Sequence, residues 1–99
     1  MTLKTFTWTD PLLNTDGSTV AAGEITGYEI GVGNATGVYD TKYTVTGAAA
    51  ASFATDFKVP GDYFAAVRAV GPADSAWSNE ATFTVLAPVP NAPTGFTVA

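Results

Sequence analysis

The stretch Lys4-Thr5-Phe6-Thr7-Trp8-Thr9 decides the fold class, because its side chains alternate between polar and apolar. Successive side chains of a β-strand project to opposite faces of the sheet, so a period of two is expected of a strand with one buried face. Asp10-Pro11 ends the pattern, and a polar, glycine-containing run from Asn14 to Thr19 follows as a loop. We therefore predict a first strand over residues 4–9.

The same period recurs along most of the chain. Glycine or proline separates the repeats, and sixteen threonines suit strands better than helices, because β-branched side chains favour the pleated state. The run Ala48–Ala51 favours a helix but is far shorter than the roughly 12 residues that a stable isolated helix needs, so we expect a loop there. The pattern predicts an all-β sandwich or barrel, with further strands at 25–32, 38–46, 53–59, 63–70 and 77–85.

Length and charge limit the classes of partner. The 99 residues suit one domain, and the net charge is −5. Nucleic-acid binding depends on clustered cations that neutralise phosphates, so neither nucleic acid nor an anionic membrane surface is an expected partner. No apolar run approaches the roughly 20 residues that span a bilayer. The only cations are scattered along the chain: Lys4, Lys42, Lys58 and Arg68.

The residue types argue against catalysis. The chain has no histidine and no cysteine, which removes the commonest general base, the commonest metal ligand and the strongest nucleophile. Glu24 and Glu29 are five positions apart, so on one strand they would point to opposite faces. Asn14-Thr15-Asp16-Gly17-Ser18 faintly resembles the front of a calcium loop, but we interpret it as a turn. We expect no enzyme activity, no metal and no cofactor.

Three motifs in order resemble a fibronectin type III domain. They are Trp8 in a Phe6–Pro11 segment, Tyr28 in an Ile25–Ile30 segment, and Tyr63 after Pro60-Gly61-Asp62. The later segments 67–71 and 77–80 are similar to the family's last two strands and the loop between them, so the resemblance covers residues 3–85. It implies an all-β, immunoglobulin-like sandwich of about seven antiparallel strands.

The resemblance also implies roles for individual aromatic residues. Tyr63 would form a tyrosine corner, in which the hydroxyl bonds back to nearby backbone. Trp77 could either cap the edge of the sandwich or anchor a partner. The expected core and corner residues are Trp8, Tyr28, Tyr63 and Phe83.

The C-terminal segment departs from the family pattern. Such domains begin with a proline-rich lead and a strand A before the tryptophan strand, but here the lookalike of that segment, residues 90–98, comes last. The strands thus read as B, C, C′, E, F, G and then A. We divide the chain into a sandwich at 1–86 and a proline-rich linker with an A-like strand at 87–99. The partner-binding residues predicted there are Pro93, Phe96 and Val98.

Three fates of this segment remain open. To fill the A position of its own domain it would first have to run back along the sandwich, roughly 20 Å, which leaves the linker Leu86–Asn91 nothing for turns. Residues 90–99 could instead pair with residues 4–9 of a neighbouring copy or an adjoining domain; pairing with a copy would give a homo-oligomer by strand addition. The segment could also begin the next repeat of a longer protein, or fold back in a register foreign to the family.

These expectations indicate a non-enzymatic structural or assembly module. Short, cysteine-free domains rich in threonine and alanine resemble accessory proteins of bacteriophage virions, such as capsid decoration, head-fibre or tail proteins. The partner would be another copy or a neighbouring virion protein, and the location the virion. The alternative is a spacer or carbohydrate-adhesion module of a bacterial secreted or surface protein, located outside the cell, with Trp77 and the loop tips carrying any binding.

Overall fold

A computed structural model of the protein describes residues 2–99. Within these residues the chain is all-β, with six strands and no helix, so the predicted fold class is confirmed at this level. The strands are β1 (Thr2–Thr7), β2 (Gly27–Gly33), β3 (Thr41–Thr46), β4 (Ser52–Phe57), β5 (Gly61–Val70) and β6 (Ala81–Val85).

The strands form two antiparallel sheets. β1 pairs with β4 in a two-stranded sheet, and β3, β2, β5 and β6 lie side by side, in that order, in a four-stranded sheet. Side chains of both sheets meet in one core, an arrangement consistent with the predicted sandwich.

The alternation of side chains along the strands determines which residues form the core. Tyr28, Ile30 and Val32 alternate along β2 and are only 2%, 1% and 2% exposed. The Phe6 ring of the two-stranded sheet packs edge to face on the Phe83 ring of the four-stranded sheet, at 5.7 Å between centroids. The aromatic core thus joins the sheets, and burial of its apolar surface is the main force that holds them together.

The last strand is shorter than predicted, beginning at Ala81 and not at Trp77. The preceding segment still runs beside β5, but serine side chains take over part of the ladder. The N–H of Val67 donates to the Ser78 hydroxyl at 3.0 Å, and the N–H of Ala69 donates to the Ser75 hydroxyl at 2.8 Å. Side-chain acceptors of this kind compete with the regular backbone ladder, which explains the late start of β6.

The predicted seventh strand, residues 94–99, is not formed within the chain, and the structure has six strands where about seven were expected. Residues 86–99 contain no strand, because a β-segment needs a neighbour to pair its N–H and C=O groups. The radius of gyration of 19.2 Å exceeds the roughly 13 Å of a compact chain of this length. The C-terminal segment therefore extends away from the two sheets.

Candidate interaction surface

The free edge of β1 is the first part of the candidate surface. Within residues 2–99, β1 pairs with β4 alone. The N–H of Trp8 continues this ladder by donating to the Ala51 carbonyl at 3.1 Å. Backbone groups of successive residues point to alternate sides of a strand, so those of Leu3, Thr5 and Thr7 point away from β4. They form an edge to which an extended segment can add.

An open groove of about 610 Å³ runs beside this edge, between β1 and the strands β5 and β6. We call it the edge groove. Its floor is partly apolar, and the short side chains of Ala65 and Ala81, which lie opposite each other on the core face, leave room between the sheets. The residues that line it are 5–9, Ile30, 65–67, Ser78, Asn79 and Ala81.

The C-terminal segment carries unpartnered apolar side chains. Phe96 is 90% exposed and Val98 is 86% exposed. They are two positions apart, so in an extended segment both project to one face. Pro93 is also exposed, and residues 86–99 contain no charged side chain.

Trp77 lies apart from this segment and is half-buried. Its ring packs on that of Tyr39 at 5.0 Å between centroids, and the Arg68 guanidinium lies 4.7 Å above it. Both rings cover Gly31 on the face of β2 opposite to Ile30: a Cβ at Gly31 would lie 2.6 Å from the Tyr39 Cβ. The structure therefore does not bring Trp77 together with Pro93, Phe96 and Val98.

Two of the expected core and corner residues occupy the end of the sandwich at which β1 finishes. The rings of Trp8 and Tyr28 pack at 5.3 Å between centroids. The Trp8 indole N–H donates to Asp10 at 3.1 Å, and the Tyr28 hydroxyl donates to the Ala48 carbonyl at 3.2 Å. Burial, and secondarily the nearby Asp10 carboxylate, raises the pKa of Tyr28 to about 12, so its hydroxyl stays protonated at any physiological pH.

The other two lie at the opposite end. The rings of Tyr63 and Phe83 stack at 5.1 Å between centroids. The Tyr63 hydroxyl donates to the carbonyl of Val59, four residues earlier. This contact closes the turn between β4 and β5, as a tyrosine corner would.

Two polar contacts on the outer face of the four-stranded sheet were missed at the level of sequence. Arg68 donates to Glu29 at 2.7 Å, because the register places these residues opposite each other on β5 and β2. Tyr39 donates to Glu80 at 2.7 Å. The sequence did contain a signal for the Arg68–Glu29 pair, namely opposite charges in the middle of two apolar strands. Nothing in the sequence pattern indicates the Tyr39–Glu80 pair.

The segment Asn14–Ser18, which resembles the front of a calcium loop, is held by hydrogen bonds among its own residues. The Asp16 carboxylate accepts the N–H and hydroxyl of Ser18 at 2.9 and 2.6 Å, and these bonds lower the pKa of Asp16. Among the residues described, no three or more acidic side chains lie together in a way that could hold a metal ion. The segment forms a turn closed by its own side chains.

No family model, curated protein or solved structure matches the chain. Across residues 2–99 no helix is long and apolar enough to cross a bilayer.

Proposed function

We propose that this protein is a non-enzymatic structural module that joins to a second copy by strand addition. Residues 90–99 of one copy, the donor, add to the free edge of β1 in the next copy, the acceptor; residues 94–99 form the paired strand, and their apolar face fills the edge groove. The observation that carries the proposal is the coexistence, in one chain, of an open edge beside a groove and an exposed segment that has a matching period and no charged side chain.

The order of the strands in each sheet supports a fibronectin type III type of sandwich. β1 to β6 correspond to strands B, C, C′, E, F and G of that family, with B and E in one sheet and C′, C, F and G in the other. Strand A of the family lies beside strand B, at the edge that β1 leaves free. The sequence of residues 90–98 resembles that strand, so the segment and the edge complement each other.

Connectivity favours a second copy over the same chain. β6 ends at Val85 opposite Gly61, which is the end of the sandwich where β1 begins. A strand antiparallel to β1 has to start at the other end, beside Trp8. The six residues of β1 cover about 20 Å, so a chain leaving Val85 would need the whole linker just to reach that starting point.

The alternation of apolar residues in the donor segment decides which residues of the β1 segment can lie opposite Phe96 and Val98. Directly opposite residues in an antiparallel pair project to the same face. Phe96 and Val98 therefore enter the groove only when they lie opposite even-numbered residues of the β1 segment, such as Phe6. Thr97 then pairs with the backbone groups of Thr5 or Thr7, which are the ones that point away from β4.

Charge also favours the contact. All 13 ionisable side chains counted in the net charge of −5 lie at or before Glu80. A donor segment without charged side chains meets less repulsion from an acidic acceptor than a surface rich in carboxylates would.

Such head-to-tail joining suits a repetitive assembly, and we propose an accessory role in a bacteriophage virion, as a capsid decoration, head-fibre or tail protein. A heterologous contact of this type yields a ring or an open filament. The partners are then other copies or a neighbouring virion protein, with no part for nucleic acid or membrane.

One observation favours a second candidate. The C-terminal segment makes no strand within its own chain, which also fits the start of a following domain. On that alternative the protein is a spacer or carbohydrate-adhesion module of a bacterial secreted or surface protein. The Trp77 ring is an unsuitable anchor for such binding, because Tyr39 and Arg68 already cover part of it.

Disulfide trapping tests the strand addition, since the natural chain has no cysteine. A Thr97→Cys chain is mixed with a Thr5→Cys or Thr7→Cys chain under mild oxidation. We expect a covalent heterodimer with one of the two, because opposite residues of a ladder lie about 5.5 Å apart, within disulfide reach. A Thr44→Cys chain, altered at an exposed threonine of the distant edge strand β3, is the matched control.

Light scattering on the unmodified chain and on a chain lacking residues 88–99 gives the second measurement. We expect the intact chain to associate and the shortened chain not to. The proposal is wrong if both have the monomer mass, or if Thr5→Cys and Thr7→Cys chains trap no more heterodimer than the Thr44→Cys control.

A further inference from the structure

We infer that the acceptor copy holds a second binding site, which takes the proline-rich segment 88–93 of the donor. This site is a recess of about 320 Å³ at the end of the sandwich, between the loop before β2 and the loop after β5. We call it the tip groove. Its apolar lining comes from Pro11, Leu13, Val20, Ile25, Pro72 and Ala73. The contact presupposes the strand addition proposed above.

The tip groove is continuous with the edge groove. A smaller recess of about 120 Å³ lies between them, beside the Trp8 and Tyr28 rings. It shares Trp8 and Ser78 with the edge groove, and Pro11 and Ala69 with the tip groove. The edge groove, the small recess and the tip groove therefore form one continuous track, which follows β1 and continues past its end to the loops.

The direction of the donor matches this track. A donor antiparallel to β1 places residues 94–99 in the edge groove, so Pro93 lies near Thr9 and the preceding residues pass over the tip. Residues 88–93 in a polyproline conformation cover about 19 Å at roughly 3.1 Å per residue. That length suits the middle recess and the tip groove together.

The chemistry of the two surfaces also agrees. Prolines at 88, 90 and 93 pre-set an extended shape, and such segments bind aromatic-lined grooves at low entropic cost. The small recess supplies the rings of Trp8 and Tyr28, and the tip groove continues it with aliphatic side chains and prolines. Both surfaces expose apolar side chains: Leu13 at the tip is 60% exposed, and Val89 in the donor segment is 83% exposed. Segment 88–93 has no charged side chain, so it adds no charge near Glu24 and Asp74 at the groove.

A double-mutant cycle on the full chain tests this contact. Leu13→Ser, Val89→Ser and the double variant are compared with the unmodified chain for the dissociation constant of head-to-tail association, by sedimentation or light scattering across concentrations. We expect each single variant to weaken association about tenfold, as loss of one buried aliphatic side chain implies, and the double variant to be little weaker than either.

Leu12→Ser is the matched control, since Leu12 is 78% exposed in the same loop but does not line the tip groove. It should leave the dissociation constant unchanged. The inference is overturned if Leu13→Ser behaves like Leu12→Ser, or if the effects of Leu13→Ser and Val89→Ser simply add.

Phe96→Ser separates this inference from the proposed function. Its side chain belongs to the edge groove, so its loss should weaken association more than Leu13→Ser or Val89→Ser does. If Phe96→Ser weakens association but the cycle shows no coupling, strand addition stands and the tip contact is wrong. If the unmodified chain does not associate, or if Phe96→Ser has no effect, both are wrong.

Discussion

The hydroxyl of Tyr39 donates a hydrogen bond of 2.7 Å to the carboxylate of Glu80, 41 positions further along the chain. The same carboxylate oxygen accepts the N–H of Gly37 at 2.9 Å. The pair ties the turn between β2 and β3 to the segment before β6, and Tyr39 carries the Trp77 ring on its other side. These bonds favour the ionised carboxylate, so Gly37 first and Tyr39 second lower the pKa of Glu80.

We predict that the hydrogen bonds of the Glu80 carboxylate with Tyr39 and Gly37 are lost in acid. Because the pKa of Glu80 in the folded chain is below its ordinary value of 4.5, the contact stabilises the fold above that pH and is lost as the pH falls further, through the folded pKa. An NMR titration should show the Gly37 amide shifting with the Glu80 carboxyl below pH 4.5. In Glu80→Gln that shift should be absent. A Glu80 pKa at or above the ordinary value would show that the contact does not form in solution.

The outer face of β2 leaves no room for a side chain at Gly31, so we predict that a larger residue there destabilises the fold. A Cβ there would lie 2.6 Å from the Tyr39 Cβ, closer than real contacts allow, and a tight 3.1 Å from the Trp77 ring. Gly31→Ala should lower the free energy of unfolding by about 1–3 kcal/mol, measured by chemical denaturation. Adding Tyr39→Ala should make the further cost of Gly31→Ala smaller, because the space is then open. Equal costs in both backgrounds would argue against this packing.

The bond from Tyr63 to Val59 predicts a local contribution to stability. Tyr63→Phe removes the hydroxyl and keeps the ring on Phe83, so the free energy of unfolding should fall by about 0.5–1.5 kcal/mol. Tyr43→Phe is the matched control, because within residues 2–99 no hydrogen bond joins the Tyr43 hydroxyl to another group. A cost for Tyr43→Phe as large as that for Tyr63→Phe would contradict the assignment.

We predict that replacing Trp77 lowers the stability of the fold but does not weaken association between copies. Its contacts with Tyr39 and Arg68 are within the chain, so Trp77→Ala should lower the free energy of unfolding by about 1–3 kcal/mol, less than a fully buried tryptophan. The dissociation constant of the head-to-tail contact should not change. Weaker association with unchanged unfolding would instead make Trp77 a partner anchor.

The sequence by itself determined the strand-forming segments and the core. Alternation of apolar and polar residues assigns Phe6, Tyr28 and Ile30 to buried faces before any pairing is known, because the period of a strand is local geometry. The same reasoning marked residues 94–99 as strand-like. It predicted a seventh strand that the chain does not form, since a strand also needs a partner edge, and pattern alone does not say whose edge that is.

The tertiary structure alone decided which distant residues meet. The Tyr39–Glu80 contact, the burial of Gly31 under two rings and the continuous track past Trp8 depend on strand order and register. Register is set by how whole faces pack against each other, and a shift of one residue would turn every side chain of a strand to the other face. For this reason local alternation predicts the elements of the protein, whereas its grooves and outer-face contacts emerge only when the sheets are assembled.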